Sequence, residues 1–351
     1  MHDVVRPKRL EQQELGAIPN VDELRRYFGG FKHARFHQPE VVYHCLLRIV
    51  QGRFLLRPDE RGRLVALIAG VIARAKKNFP GVRLFADAWL SNHAHLLLQG
   101  APEQIPSFVG FIEREISRRW GGIIGWDGNM FQTYQSTALP GAQSQCRAFK
   151  YVLAQSTKEN LVDSPLRWPG AHCAKDLVQG LERRGTWFDG TGYGKALHRC
   201  QARKERRAPP ARRDFEDDST YRFDKLPALA KLCDEQYREH VVCLVREIEA
   251  EAEAERRRSG KRVLGRRQVF KMSREARSAL PKLPWFEKRR RMICWADRRA
   301  RETLDYLVRY WNFQRLFREA SQRFREGDLT APFPATAFRP PSFVQPDAAG
   351  G

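Results

Sequence analysis

Long apolar runs are missing from this chain of 351 residues. No stretch of about 18 apolar residues occurs, the minimum for a helix that spans a bilayer. The start, Met1-His2-Asp3-Val4-Val5-Arg6-Pro7-Lys8-Arg9, has no apolar core of the kind a secretory leader carries. A soluble, cytoplasmic protein with no membrane partner is therefore expected. Cysteine is sparse in pattern as well as number. Cys45, Cys146, Cys173, Cys200, Cys233, Cys243 and Cys294 are scattered, odd in count and never spaced C-x-x-C, which argues against a zinc ribbon and against a disulfide framework. No P-loop pattern (G-x-x-x-x-G-K-S/T), internal repeat or sustained a/d heptad is found. Negative charge is also scarce. Asp and Glu number 41 against 63 Lys and Arg, a formal net charge of +22. Such an excess favours a polyanionic partner, nucleic acid first and an anionic membrane surface second, because neutralised phosphates release condensed counterions.

What is there is strongly patterned over the first half. Residues 1–38 read as a polar arm with one short helix near 21–28. Residues 41–50 (VVYHCLLRIV) are β-branched and apolar, the signature of a buried strand. Pro58-Asp59-Glu60 opens a helical repeat through Leu64, Leu67, Ile68, Val71, Ile72 and Ala75 that stops near Asn78-Phe79-Pro80-Gly81. Residues 82–90 and 93–99 form two strands about a Ser91-Asn92 turn. Helix is expected at 106–120, strand at 130–139 and helix again at 143–159. The order β-α-β-β-α-β defines an α+β fold of the ferredoxin-like, split βαβ type, an antiparallel sheet with helices packed on one face. That fold hosts many chemistries and does not by itself choose one. We divide the chain into an arm (1–38), this domain (39–172), a basic linker (173–225), a basic and mainly α-helical region (226–330) and a Pro-rich tail (331–351). Within the linker, residues 180–222 carry glycines, prolines and basic clusters and read as an extended link with one short helix.

The chemistry-bearing signal is His93-Ala94-His95 at the start of the third strand. Alternate residues of a strand point to one face, so the two imidazoles stand side by side with room for one cation. Neutral imidazole is the commonest protein metal ligand. A His-x-His pair alone also fits two ordinary polar residues at a strand end. Two imidazoles need further ligands, and the helix at 143–159 offers Tyr151 and Gln155, stacked one turn apart on one face. A tyrosine beside such a cation suggests attack of its hydroxyl on a phosphodiester. Phenol is a poor nucleophile at its reference pKa of about 10. A divalent ion favours the phenolate and neutralises the phosphate oxygens. Tyr151 and Gln155 alone equally fit a half-buried, core-facing helix.

Together these features resemble the single-tyrosine HUH transposases. Trp89-Leu90-Ser91-Asn92-His93-Ala94-His95-Leu96-Leu97-Leu98 is similar to the "MPNHVHLLL" segment of the REP-associated tyrosine transposase branch. Tyr43-His44 sits where that branch carries a "YHV" first strand. Lys150-Tyr151-Val152, Leu161-Val162 and Trp168-Pro169-Gly170 resemble its "YIxxNPVxAGLV…WPWSS" stretch. The match covers roughly residues 33–172. Gln155 stands for that branch's asparagine, Ser156 for its proline, and Glu159-Asn160 for Ala-Gly. The resemblance implies a DNA transposase that cleaves single-stranded DNA, keeps a 5′-phosphotyrosine link and frees a 3′-hydroxyl for rejoining or transfer. It implies Tyr151 as nucleophile, His93, His95 and Gln155 as ligands of Mg²⁺ or Mn²⁺, and DNA, single-stranded or hairpin, as partner of a monomer or homodimer. Imidazole donors would favour Mn²⁺ or Zn²⁺ in vitro.

Around this core, Arg147 and Lys150 flank Tyr151 and are candidates for phosphate contact, as are Lys288, Arg289 and Arg290 within a basic run that ends at Arg291. Such contacts strengthen binding without reading sequence. Tyr134, expected on the fourth strand, reads first as a solvent-facing tyrosine and second as another nucleophile. Tyr43, His44, Trp120, Trp126 and Phe131 read first as packing residues. A non-catalytic, domesticated nucleic-acid-binding protein of the same fold is the alternative.

Overall fold

A computed structural model describes residues 34–202, 208–277, 293–295 and 301–337. The short helix expected near 21–28 and the basic run holding Lys288, Arg289 and Arg290 lie outside the described residues.

Period-two patterning makes the central sheet. Strand β1 (Val42–Arg48), β2 (Arg83–Trp89), β3 (His93–Gln99) and β4 (Gln135–Leu139) pair in the order β2-β3-β1-β4, every pair antiparallel. This is the split βαβ arrangement that the element order predicts. Odd-numbered residues of β1 (Tyr43, Cys45, Leu47) face one way and Val42, His44, Leu46 and Arg48 the other. The β2–β3 turn is closed by the Leu90 amide donating to the His93 carbonyl (2.8 Å).

Two crossover helices cover the odd face, as expected. Helix α1 (Arg63–Asn78) starts where the Asp59 carboxylate accepts from the Leu64 amide (2.9 Å), a side-chain partner for an orphan amide of its first turn. It buries the stripe Leu64, Ile68, Val71, Ile72 and Ala75. Helix α2 (Gln104–Ile124) buries Ile105, Phe108, Val109, Ile112, Ile116 and Trp120. It stops at Gly125, whose φ of +71° is the left-handed turn that glycine tolerates after a helix. The additional helix α3 (Ala142–Leu153), followed by the single turn α4 (Gln155–Lys158), crosses to the opposite face. There Ala148, Phe149, Val152 and Leu153 pack on Val42, Ala86, Leu97 and Leu139.

Residues 183–221 differ from the extended link expected of them. Strand β5 (Arg183–Phe188) and β6 (Glu216–Tyr221) pair antiparallel on either side of helix α6 (Gly190–Ala202), the one short helix expected there; α5 (Ala174–Gln179) precedes them. A backbone contact explains the docking of β5 on α1. A Cβ at Gly185 would lie 2.4 Å from the Ala69 carbonyl, and one at Gly70 would lie 2.2 Å from the Thr186 carbonyl oxygen. Glycine on both sides lets the two backbones touch. Arg183 then pins β5 to the domain, donating to buried Asp87 (2.9 Å) and to the His172 carbonyl (2.8 Å).

The C-terminal region is mainly helical, as its composition predicts. Helix α7 (Asp234–Ser259) buries Tyr237, Val241 and Ile248 in the cluster beneath α3, and α8 (Arg266–Lys271) adds Val269. Helix α9 (Arg301–Arg325) sends Tyr306, Leu307, Tyr310 and Trp311 into the other core, beside Phe36. Both outer strands of the sheet are covered. At β2 the Trp89 amide donates to Ala171 and the Cys173 amide to Asp87, both at 3.0 Å. At β4 the Ala138 amide donates to Ile293 (3.0 Å) and the Trp295 amide to Ala138 (2.9 Å). Cys45, Cys146, Cys173, Cys233 and Cys243 are free thiols. Among the described residues no helix is long and apolar enough to cross a membrane.

Candidate metal and nucleophile site

The pleat of β3 decides which of its residues can do chemistry. Ala94, Leu96 and Leu98 fall on the odd face with α1 and α2, so His93, His95 and Leu97 take the other. Across the ladder His93 opposes Arg48 and His95 opposes Leu46 on β1, while Ala88 of β2 flanks His95.

Each imidazole of the pair has its Nδ1 engaged. His93 Nδ1 lies 2.6 Å from Asn92 Oδ1; that oxygen only accepts, so Nδ1 donates and Nε2 is left with its lone pair. His95 Nδ1 lies 2.7 Å from His44 Nε2, and His95 Nε2 is buried with no partner among the described residues. When His95 Nδ1 donates to His44, both Nε2 atoms of the pair offer lone pairs. An outer partner fixing the tautomer of a ligating histidine is the usual arrangement at metal centres. All three imidazoles are held neutral. Burial lowers His44 and His93 to about 4, with the His93 charge adding at His44 and Arg48 adding at His93. Burial, then His44 and His93, press His95 well below the ordinary histidine range.

Gln155 closes the third side. It is buried, its Nε2 donates to the Tyr151 carbonyl (2.9 Å), and its side chain reaches both His93 and His95. One amide N–H is used by that carbonyl; the amide oxygen, which only accepts, is the Gln155 atom that could serve a cation. The donor set is thus two imidazole nitrogens and one amide oxygen, all neutral. No group of three His, Cys, Asp or Glu with metal-holding geometry occurs among the described residues. A buried imidazole nitrogen without a partner among the described residues, and a neighbouring amide oxygen, are donor types that fit a divalent cation taking its remaining ligands from elsewhere.

Tyr151 of the same chain faces this cluster. Its half-buried ring lies 5.6 Å from His95 and 5.9 Å from His44, close to perpendicular to both (86° and 81°). Lys158 Nζ sits 4.5 Å over the phenol ring. The helix expected at 143–159 is two pieces meeting at Ala154, whose amide donates to the Lys150 carbonyl (2.9 Å). Tyr151 and Gln155 keep their one-turn relation across that junction.

Arg147 is exposed on α3. Lys150 is engaged by Glu247 (2.6 Å) and Glu251 (2.7 Å) of α7, so its charge is met within the chain. Tyr134 lies in the opposite core, with the Arg35 guanidinium 3.9 Å over its ring, and takes no part in the cluster. Trp120 is fully buried and donates to the Leu55 carbonyl (2.7 Å). Sequence reasoning missed three neighbours. His44 read as packing, although its alternation with Leu46 puts it on the histidine face. Lys158 stands seven residues after Tyr151, two helical turns on, a spacing that could have found it. Trp295, whose ring lies 5.0 Å from Tyr151, had no local signal at all.

No protein-family model matches the chain, and no curated protein matches it. Among solved structures, it is similar to a REP-associated tyrosine transposase bound to a REP hairpin. The identity is 15% and the TM-score 0.35, over 43% of this chain and 87% of that one.

Proposed function

We propose that the chain is a DNA transposase that cleaves and rejoins single-stranded DNA through a covalent link to Tyr151, with Mg²⁺ or Mn²⁺ held by His93, His95 and Gln155. The observation that carries this reading is one juxtaposition: the Tyr151 phenol stands against His95, whose Nε2 is buried with no partner among the described residues, while Gln155 reaches both imidazoles. A bound divalent ion would supply charge neutralisation at the phosphate and favour the phenolate.

The chain's own residues do the rest. Asn92 and His44 hold the two imidazoles in the tautomer that turns each Nε2 inward. Neutral imidazoles leave the cation's charge undiminished for the phosphate. Tyr151 loses its phenolic proton, its oxygen bonds to phosphorus, and the bond from phosphorus to the 3′-oxygen breaks. That oxygen takes a proton and leaves as a 3′-hydroxyl, with the 5′-phosphate on the tyrosine. Return attack by a 3′-hydroxyl restores the phosphodiester and frees Tyr151. An unpaired strand is required because the phenol must approach phosphorus in line. In this reading Lys158, above the phenol, and Arg147, on the surface of α3, contact phosphate oxygens.

The test is a labelled single-stranded oligonucleotide incubated with the full chain and Mn²⁺. A denaturant-resistant protein–DNA adduct is expected, lost with EDTA and lost in Tyr151→Phe. An adduct of unchanged yield in Tyr151→Phe discards this nucleophile. Salt-sensitive DNA binding with no adduct under any divalent ion selects the non-catalytic alternative.

A further inference from the structure

The tyrosine meets an aromatic side chain that comes from the far end of the chain. Residues 293–295 join the free edge of β4 through the two backbone hydrogen bonds at Ala138. That pairing anchors the backbone of Trp295 to the sheet itself. Its half-buried indole lies beside His44 (5.7 Å, 27° between planes), and His44 lies edge to edge with His95 in nearly one plane (5.0 Å, 7°), joined by their 2.7 Å hydrogen bond. Three rings thus stand in a row, Trp295, His44 and His95. The Tyr151 ring is close to perpendicular to all three, at 86°, 81° and 86°, and Trp295 is nearest at 5.0 Å.

We infer that Trp295 is a positioning residue for Tyr151, which makes the C-terminal region part of the reactive assembly. The inference rests on the tyrosine-nucleophile reading above. Edge-to-face contacts restrict both torsions of a phenol, because rotation of the ring brings faces into repulsive register. The His44 and His95 rings limit Tyr151 on the sheet side. Trp295 limits it on the β4 side, where otherwise a half-buried ring could swing toward solvent. Reacting atoms displaced by about 1 Å can slow a step by roughly 100-fold. An aromatic side chain at 295 therefore acts on rate, whereas DNA affinity, which is set mainly by phosphate contacts, stays as it is.

The experiment compares the full-length chain with Trp295→Ala and Trp295→Phe at saturating oligonucleotide. Trp295→Ala is expected to slow adduct formation by about 10- to 100-fold with DNA affinity and melting temperature little changed, and Trp295→Phe to recover most of the rate. A wild-type rate in Trp295→Ala overturns the inference. So does a loss that follows a fallen melting temperature and that phenylalanine does not rescue. A second measurement separates this from failure of the functional reading. With 3-fluorotyrosine in place of Tyr151, the ¹⁹F resonance should move and broaden in Trp295→Ala even if no substrate is ever cleaved. An unmoved resonance shows that the indole does not hold the ring.

Discussion

The two faces of one sheet have different duties. On the odd face, Tyr43, Cys45, Leu47, Leu96 and Leu98 meet α1, α2 and α9 in a continuous apolar core. On the other, Val42, Leu97 and Leu139 are packed beneath α3, but His44, His93, His95 and Arg48 are kept from that apolar duty. Both faces are drawn from the same strands by alternation alone. One parity specifies the fold. The second is divided along its length between packing and a neutral cluster of nitrogen and oxygen donors. Side chains of the sealed face should therefore be read out in stability, and those of the open end in chemistry.

Substitutions can break that contrast if it is wrong. The largest effect expected is from His95→Ala, which removes a donor nitrogen outright. Adduct formation should fall by more than the roughly 10- to 100-fold that loss of an outer partner costs, while circular dichroism and melting stay close to wild type. Next is Phe108→Ala on the sealed face, expected to cost about 3–5 kcal/mol of stability through transfer and cavity terms. Chemical denaturation measures it, and the fraction still folded should react at the wild-type rate. His44→Ala falls between the two classes, since His44 touches both a donor histidine and the row of rings. A loss of about 10- to 100-fold in metal-dependent rate is expected, checked by titrating Mn²⁺.

The smallest effect concerns Glu113 of α2. Burial raises its carboxyl from 4.5 to about 7 against the opposing Arg35 charge, and its Oε1 is buried without a partner among the described residues. The folded chain then binds more protons than the unfolded chain between these two values, so stability should decline as pH rises through that window. Melts at pH 5 and pH 8 should show the decline in wild type and a shallower one in Glu113→Gln. Equal slopes would remove Glu113 as the cause.

The fold of the first half was legible because its signals are local and periodic. The β-branched, apolar run at 41–50, the stripe from Leu64 to Ala75 and the turn at Ser91-Asn92 each fix an element within a few residues. The β5–β6 pair was not legible. Its docking depends on Gly70 and Gly185 meeting across the fold, and an arginine-rich stretch disguises a strand whose Arg183 is bound to buried Asp87. Much the same division runs through the site. His93, His95, Tyr151 and Gln155 are visible from spacing within one strand and one helix, and the structure brings them together. The acid partners of Lys150 come from α7, and Trp295 arrives by strand addition. No periodicity links those positions to the residues they touch.

Covering of the outermost strands has a consequence for how copies of this basic chain meet one another. An uncovered ladder of amides is a template for another chain, and crowding multiplies such encounters. Here short runs near Ala171 and Ile293 take up the vacant amides and carbonyls at each margin. A chain cut short before Ile293 would leave Ala138 without these ladder partners and strip α9 from the core, so such a truncation invites self-association as well as loss of stability.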